Sequence, residues 1–204
     1  MNRQSYQDFA RSVIETLESL GFTYFIGGSF ASMYYGEMRT TQDIDIAVVL
    51  SLEEAPLFVQ AFQTVGYYVY LETVVDAFIY HQPLNIIDAE SGFKADIFLV
   101  NPDEPTELER SAMSRRRREV YDPDTGAETY LYAPEDVIIY KLKYYLSGRI
   151  DKHLRDIAAM LAIQGDDLDF DYLEQWAAHI GAIDLWHTLL DEYHRRIQAQ
   201  TMSK

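Results

Sequence analysis

The fold is decided by residues 23–50, TYFIGGSFASMYYGEMRTTQDIDIAVVL. Residues 23–26 are aromatic and β-branched, and they run directly into Gly27-Gly28-Ser29 before a helical stretch that ends near Tyr35. This order predicts a strand, a tight turn and a helix. Residues 43–50 alternate between polar and apolar at first and then become wholly apolar, which is typical of a central strand in a sheet.

Two aspartates share one face of this second predicted strand. Asp43 and Asp45 are two residues apart, so both side chains leave the same face while Ile44 and Ile46 enter the core. Neighbouring carboxylates repel each other, and a cation between them relieves the repulsion; oxygen ligands are those that Mg²⁺ accepts. Asp96 starts another apolar strand, and if the two strands are neighbours, the three carboxylates converge. Such a set can hold two metal ions about 3.5–4 Å apart.

The glycine turn has the chemistry of a phosphate site. Gly27 and Gly28 allow a phosphate to approach the backbone, the following helix offers free N–H groups, and Ser29 adds a hydroxyl. An ordinary turn is the alternative interpretation, in which the Ser29 hydroxyl only caps the helix. The order of the turn and the aspartates favours the functional interpretation.

These motifs resemble the signature of the DNA polymerase β nucleotidyltransferase superfamily. The resemblance rests on residues 26–29 (IGGS), residues 39–46 (RTTQDIDI) and the later Asp96, and it covers roughly the first half of the chain. It implies transfer of a nucleoside monophosphate from an NTP to an acceptor hydroxyl, with release of pyrophosphate. Mg²⁺ or Mn²⁺ is the implied cofactor, held by Asp43, Asp45 and Asp96.

The downstream sequence is similar to a bacterial branch of abortive-infection and toxin–antitoxin nucleotidyltransferases. Residues 133–142 (APEDVIIYKL) resemble the helix that carries the lysine of that branch, and residues 149–156 (RIDKHLRD) resemble its Arg-x-x-Lys-Asp-x-x-Asp motif, with His153 in place of the first Asp. An antitoxin partner is therefore an expectation.

The resemblance also implies a role for each site residue. Asp96 would help to deprotonate the acceptor, and the turn, Gly27-Gly28-Ser29, would hold the β- and γ-phosphates. Lys141 would neutralise triphosphate charge, although neighbouring Lys143 could serve equally, and Asp156 would be a polar residue of the nucleotide site. The acceptor stays open between an RNA end, a protein side chain and a cationic small molecule such as an aminoglycoside.

The remaining patterns predict an α+β protein, with a mixed sheet flanked by helices over residues 1–132 and an α-helical lobe over residues 133–204. We expect the nucleotide in the cleft between the two lobes. Helical spacing predicts helices at 7–20, 135–146, 151–164, 170–180 and 184–198, and a further helix that follows a capping box at residues 51–54 and ends near Val65. Strand patterns predict a strand at 67–75 and hairpins that join 84–88 to 94–100 and 115–121 to 129–132.

Composition narrows the function classes. The net charge of −16 disfavours extended binding to nucleic acid and favours cationic ligands. Cysteine is absent, which excludes thiol catalysis and thiolate metal sites. The longest apolar run, residues 157–163, is too short for a membrane span, and residues 1–8 have no signal-peptide pattern, so we expect a cytoplasmic protein. The alternatives are a catalytically silent nucleotide- or partner-binding protein of the same fold and an interaction module whose motifs are accidental.

Overall fold

The strand predicted at residues 43–50 is present, and its polar and apolar side chains lie on the two faces that the sequence predicts. Ile44 and Ile46 are fully buried, whereas Asp43 is exposed and Asp45 is half-buried. The alternation of polar and apolar residues therefore places both aspartates on the face opposite the core.

The structure is a computed structural model, which describes residues 5–38, 41 and 43–202; the side chains of residues 166 and 200–202 are outside the description. Arg39, Thr40 and Gln42, which belong to the motif quoted above, lie outside the described residues.

The described strands form one mixed sheet. They are β1 Tyr24–Ile26, β2 Asp43–Val49, β3 Leu84–Ile87, β4 Lys94–Val100, β5 Arg117–Asp122 and β6 Ala127–Leu131. Their order is β3-β4-β2-β1-β6-β5. Strands β2 and β4 are parallel, as are β1 and β6, and the other neighbours are antiparallel. Both predicted hairpins, β3–β4 and β5–β6, are confirmed.

Helices flank the sheet and make up the C-terminal part of the chain. Those described are α1 Tyr6–Ser19, α2 Gly28–Tyr35, α3 Ala55–Thr64, α4 Leu71–Tyr80, α5 Glu107–Arg115, α6 Pro134–Gly148, α7 Asp151–Gln164, α8 Phe170–His179 and α9 Ile183–Met202. The predicted α+β class with C-terminal helices is confirmed. In the described part of the chain, no helix is long and apolar enough to cross a membrane.

The strand predicted at residues 67–75 is wrong, because most of that segment belongs to helix α4. The β-branched run at 73–75 favours a strand, but Val74 and Ala77 are buried with helical spacing. The Thr73 hydroxyl donates to the Tyr70 carbonyl at 2.6 Å and stabilises the first turn of the helix. Only a single bridge, between Tyr68 and Ile87, joins the segment to the sheet.

The described residues divide into two compact units. The first contains residues 5–30, 41 and 43–132, with Phe9, Phe25 and Phe58 in its core. The second contains residues 31–38 and 133–202, with Ile138, Leu142 and Trp186 in its core. Helix α2 thus starts in the first unit and ends in the second. The predicted domains, 1–132 and 133–204, stay a prediction.

Candidate active site

Four charged side chains face one side of the sheet where β2 and β4 run in parallel. The register pairs Asp43 with Lys94 and Asp45 with Asp96. Because alternate residues of a strand share a face, all four project from the same side. We call Asp43, Asp45, Lys94 and Asp96 the charged quartet. The convergence that the sequence predicts for the three aspartates thus follows from the parallel pairing of their strands.

Lys94 is the member of the quartet that sequence reasoning missed. Its ammonium nitrogen donates to both carboxylate oxygens of Asp96 at 3.1 Å and lies 3.6 Å from Oδ1 of Asp43. The hydrogen bond to Asp96 and the charges of the two aspartates raise the pKa of Lys94. A lysine two residues before Asp96 on a strand must share its face, so the alternation contained the signal.

Asp45 turns toward the glycine turn. Its backbone carbonyl accepts from the Gly27 N–H at 2.8 Å, and its Oδ2 accepts from the Ser29 N–H at 3.4 Å. Gly28 has φ +53°, and a Cβ at that position would overlap the carboxylate of Asp45. Glycine is therefore required at 28 for two independent reasons, backbone conformation and space. Since α2 begins at Gly28, Ser29 lies inside the first turn of that helix.

Tyr6 is a second residue near the quartet that the sequence analysis did not single out. Its hydroxyl is buried and has no hydrogen-bond partner among the described residues. Burial raises its pKa, and the charges of Asp45 and Asp43 raise it further. The ring packs edge-on against Phe93, which fixes a neutral phenol close to the aspartates.

The quartet has the donor chemistry of a magnesium site, with the lysine as an added feature. Asp43, Asp45 and Asp96 offer carboxylate oxygens, which suit Mg²⁺ or Mn²⁺. Within the described residues, however, no group of three histidine, aspartate or glutamate side chains is arranged to hold a metal ion. Lys94 donates to Asp96 and lies close to Asp43. The aspartates therefore have the ligand chemistry for a metal cation, and the ammonium group of Lys94 already supplies one positive charge among them.

The second unit contains the two other residues assigned to the nucleotide. Lys141 of α6 donates to Oδ2 of Asp156 of α7 at 2.7 Å, and both side chains are buried. Ser32 donates to the same oxygen at 3.4 Å. The pKa of the nearby His153 is lowered by burial and by the charge of Lys141. Lys143 is exposed, so the structure separates the two candidate lysines, and the nucleotide role of Lys141 stays a prediction.

A cavity of about 320 Å³ in the second unit borders this buried pair. Asp156 and Ser32 line it together with two cationic side chains, Lys152 and Arg155. Sequence reasoning placed the positive charge of this region on Lys141. Lys152 and Arg155 lie on the same helix as Asp156, so the cavity has two cationic side chains in addition to the buried Lys141 beside it.

No family model matches this sequence, and no curated protein matches it. Solved structures do match. The antibiotic-resistance factor ANT(2'')-Ia, in a solution structure, is 13% identical, with 96% of this chain and 100% of that chain covered and a TM-score of 0.59. The lincomycin-bound lincosamide antibiotic adenylyltransferase LnuA is 15% identical, with 79% and 99% covered and a TM-score of 0.52. An antigenic nucleotidyltransferase-like protein from Paracoccidioides brasiliensis is 15% identical, with 90% and 91% covered and a TM-score of 0.54.

At this level of identity the likeness shows the fold. The chain has the fold of nucleotidyltransferases, as the sequence signature predicted. Membership of the abortive-infection and toxin–antitoxin branch stays a prediction. A shared fold does not by itself assign a reaction, because the chemistry depends on the side chains of the site.

Proposed function

We propose that this protein is a metal-dependent nucleotidyltransferase that moves a nucleoside monophosphate from an NTP to an acceptor hydroxyl. The observation that carries the proposal is the register of β2 and β4, which places Asp45 opposite Asp96. The same Asp45 contacts the glycine turn at the start of helix α2. Carboxylates for a cation and backbone N–H groups for phosphate therefore lie next to each other on one unit.

Different residues of the site have different roles in the reaction. The acceptor oxygen forms a bond to the α-phosphorus, and the bond between that phosphorus and the oxygen leading to the β-phosphate breaks, so pyrophosphate leaves. Asp96 accepts the hydroxyl proton, and the N–H groups of Gly28 and Ser29 hold the departing phosphates. Mg²⁺ or Mn²⁺, when bound by Asp43, Asp45 and Asp96, supplies charge stabilisation at the phosphates.

Among the possible acceptors, a cationic small molecule has the most support. The net charge of −16 attracts cations and repels the polyanionic backbone of RNA. Two proteins of similar fold are named as an antibiotic-resistance factor and a lincosamide antibiotic adenylyltransferase. An aminoglycoside-like amine with free hydroxyls combines both features. RNA ends and protein side chains are the other outcomes that the assay below distinguishes.

A toxin role with an antitoxin partner is the finer alternative, and it rests on the resemblance of residues 133–142 and 149–156 alone. Expression in a bacterial host tests it. Growth arrest that a neighbouring gene relieves, and that Asp43→Ala abolishes, would favour the toxin role. Unchanged growth with transfer to a small molecule would remove it.

The deciding experiment follows the label of the NTP. The full chain is incubated with Mg²⁺, NTPs labelled at the α- or γ-phosphate, and either aminoglycosides, RNA or host extract. We expect label from the α-phosphate on the acceptor and label from the γ-phosphate in pyrophosphate. The control is the double variant Asp43→Ala with Asp96→Ala, whose side chains lie on the face of the sheet opposite the core. Equal labelling by parent and control, or no labelling of any acceptor, would favour the catalytically silent nucleotide-binding alternative.

Ser29→Ala tests the phosphate role of the turn. If the hydroxyl binds phosphate, NTP affinity falls by roughly tenfold to a hundredfold, as for loss of one hydrogen bond to a charged group. If the hydroxyl does not bind phosphate, NTP affinity is unchanged, and stability changes by less than about 1 kcal/mol because Ser29 lies inside the first turn of α2 and not at its N-cap. Fluorescent-nucleotide titration and urea unfolding of the same samples separate the two.

A further inference from the structure

The position of Lys94 is the feature of the site that the proposed function does not use. Its ammonium group is shared by two carboxylates from two strands, at 3.1 Å from both oxygens of Asp96 and 3.6 Å from Asp43. Asp45, the remaining carboxylate, is directed at the glycine turn. A bridging position between carboxylates is one that a metal ion would otherwise take.

The charge of the quartet supports the same assignment. Three carboxylates carry three negative charges, and the ammonium of Lys94 reduces the sum to two, which one divalent cation neutralises. Two divalent cations beside Lys94 would leave an excess of two positive charges in the absence of a triphosphate. Like charges at such short range repel strongly, so a second ion would bind weakly.

Lysine is rare in the part of the sequence that forms this site. Lys94 is the only lysine in residues 1–140, and the neighbouring residue of its own face is the third aspartate of the signature. The register that pairs Asp45 with Asp96 also pairs Lys94 with Asp43, and the ammonium nitrogen lies 3.6 Å from Oδ1 of Asp43.

We propose that Lys94 takes the place of one of the two divalent cations, so that the nucleotide-free protein binds a single divalent ion at the quartet. The inference rests on the proposed function, because it takes Asp43, Asp45 and Asp96 as the metal ligands. Lys94 thereby acts as a positioning residue that holds Asp43 and Asp96 together when no metal is bound.

The experiment measures Mn²⁺ stoichiometry on the full nucleotide-free chain, by calorimetry and by the electron paramagnetic resonance signal of free Mn²⁺. We expect one Mn²⁺ per chain for the parent. Lys94→Met removes the charge and keeps the length of the side chain, and we expect a second Mn²⁺ that binds at least about tenfold more tightly than any second ion in the parent. Lys94→Arg keeps the positive charge, so we expect it to bind one Mn²⁺ per chain, as the parent does.

Lys143→Met is the matched control, since it makes the same substitution at an exposed lysine of α6 and changes the net charge equally. It should stay at one Mn²⁺ per chain. Circular dichroism confirms that each variant is folded, and Lys94→Gln repeats the test if the methionine variant is not.

The outcomes separate this proposal from the proposed function. Two Mn²⁺ per chain in the parent would show that metal ions displace Lys94, which overturns the inference and leaves the proposed function standing. One Mn²⁺ of equal affinity in parent and Lys94→Met, with no second site, also overturns the inference alone. No Mn²⁺ binding by either protein at millimolar concentration overturns both.

Discussion

Two lysine–aspartate pairs in this protein share the same chemistry and differ in their surroundings. Lys94 and Asp96 lie 3.1 Å apart with 42% and 22% of their side-chain surfaces exposed. Lys141 and Asp156 lie 2.7 Å apart with only 5% and 10% exposed. Water solvates both charges of an exposed pair, so the pair contributes little to stability, whereas a buried pair cannot separate without leaving a charge in a poorly solvated environment.

The comparison assigns different tasks to the two pairs. Lys94 can keep its place beside a bound metal ion, because water solvates its ammonium group. Lys141 joins α6 to α7, and its charge is already used by Asp156. Burial, rather than residue type, therefore decides how much each ion pair contributes to stability, and the role of Lys141 at the nucleotide stays a prediction.

Lys141→Met should have the largest effect, because it leaves Asp156 buried without its lysine. We expect a loss of about 3–5 kcal/mol in the free energy of unfolding, measured by urea titration. The double variant Lys141→Met with Asp156→Leu should recover most of the loss, since two apolar side chains can replace a buried ion pair. A loss below about 1 kcal/mol in the single variant would show that the pair behaves like the exposed one.

Gly28→Ala should have the second-largest effect. We expect the free energy of unfolding, measured by urea titration, to fall by about 2–4 kcal/mol, because of backbone strain and displacement of the Asp45 carboxylate. Gly21→Ala is its matched control. Gly21 has a similar positive φ, +69°, but a Cβ there would meet nothing within 4 Å. We expect only about 1–2 kcal/mol from conformation at Gly21. Equal losses at the two positions would mean that Asp45 moves aside freely.

His153 should make stability depend on pH by a smaller amount. Burial and the charge of Lys141 lower its pKa below the usual value of about 6.5, so the unfolded chain binds the proton more readily. This contribution is fully present above pH 6.5 and is lost as the pH falls through the lowered pKa of the folded protein. His153→Gln should reduce the fall in unfolding free energy between pH 7.5 and 5.5, measured by urea titration at each pH. An identical pH dependence of the unfolding free energy in the parent and in His153→Gln would show that His153 does not contribute to it.

Asp45→Asn should have the smallest effect on stability and a large effect on metal binding. Removing one of three neighbouring carboxylates relieves repulsion, so we expect a change within about 1 kcal/mol, of either sign. Mn²⁺ affinity should drop strongly, because a neutral amide is a poorer ligand than a carboxylate. Thermal melting and calorimetry measure the two quantities. Unchanged Mn²⁺ binding would contradict the assignment of Asp45 as a ligand.

The faces of the site strands could be predicted, whereas their contacts could not. Alternation placed Asp43 and Asp45 opposite Ile44, because the period of a strand is a local property. The pairing of Asp45 with Asp96 depends on strands 51 residues apart in sequence, and local patterns contain no register.

Local propensity also misled in one segment. The β-branched residues 73–75 favour a strand, but tertiary burial of Val74 and Ala77 and the turn hydrogen bond of Thr73 favour the helix. Lys141 shows the same limit for the site. A lysine on a helix is usually solvated, and only the structure reveals that Lys141 is buried and paired with Asp156 of the following helix.

The placement of β1 within the sheet has a consequence for synthesis of the chain. Ile26 of this short strand is paired on one side with Ile46 and on the other with Leu131. While the ribosome is still making the first 130 residues, one edge of β1 has no partner strand, although β2 and β4 can already pair. A nascent chain of that length therefore exposes an apolar strand edge to neighbouring chains. We expect pauses in translation before β6 has left the ribosome to promote aggregation, and later pauses to be tolerated.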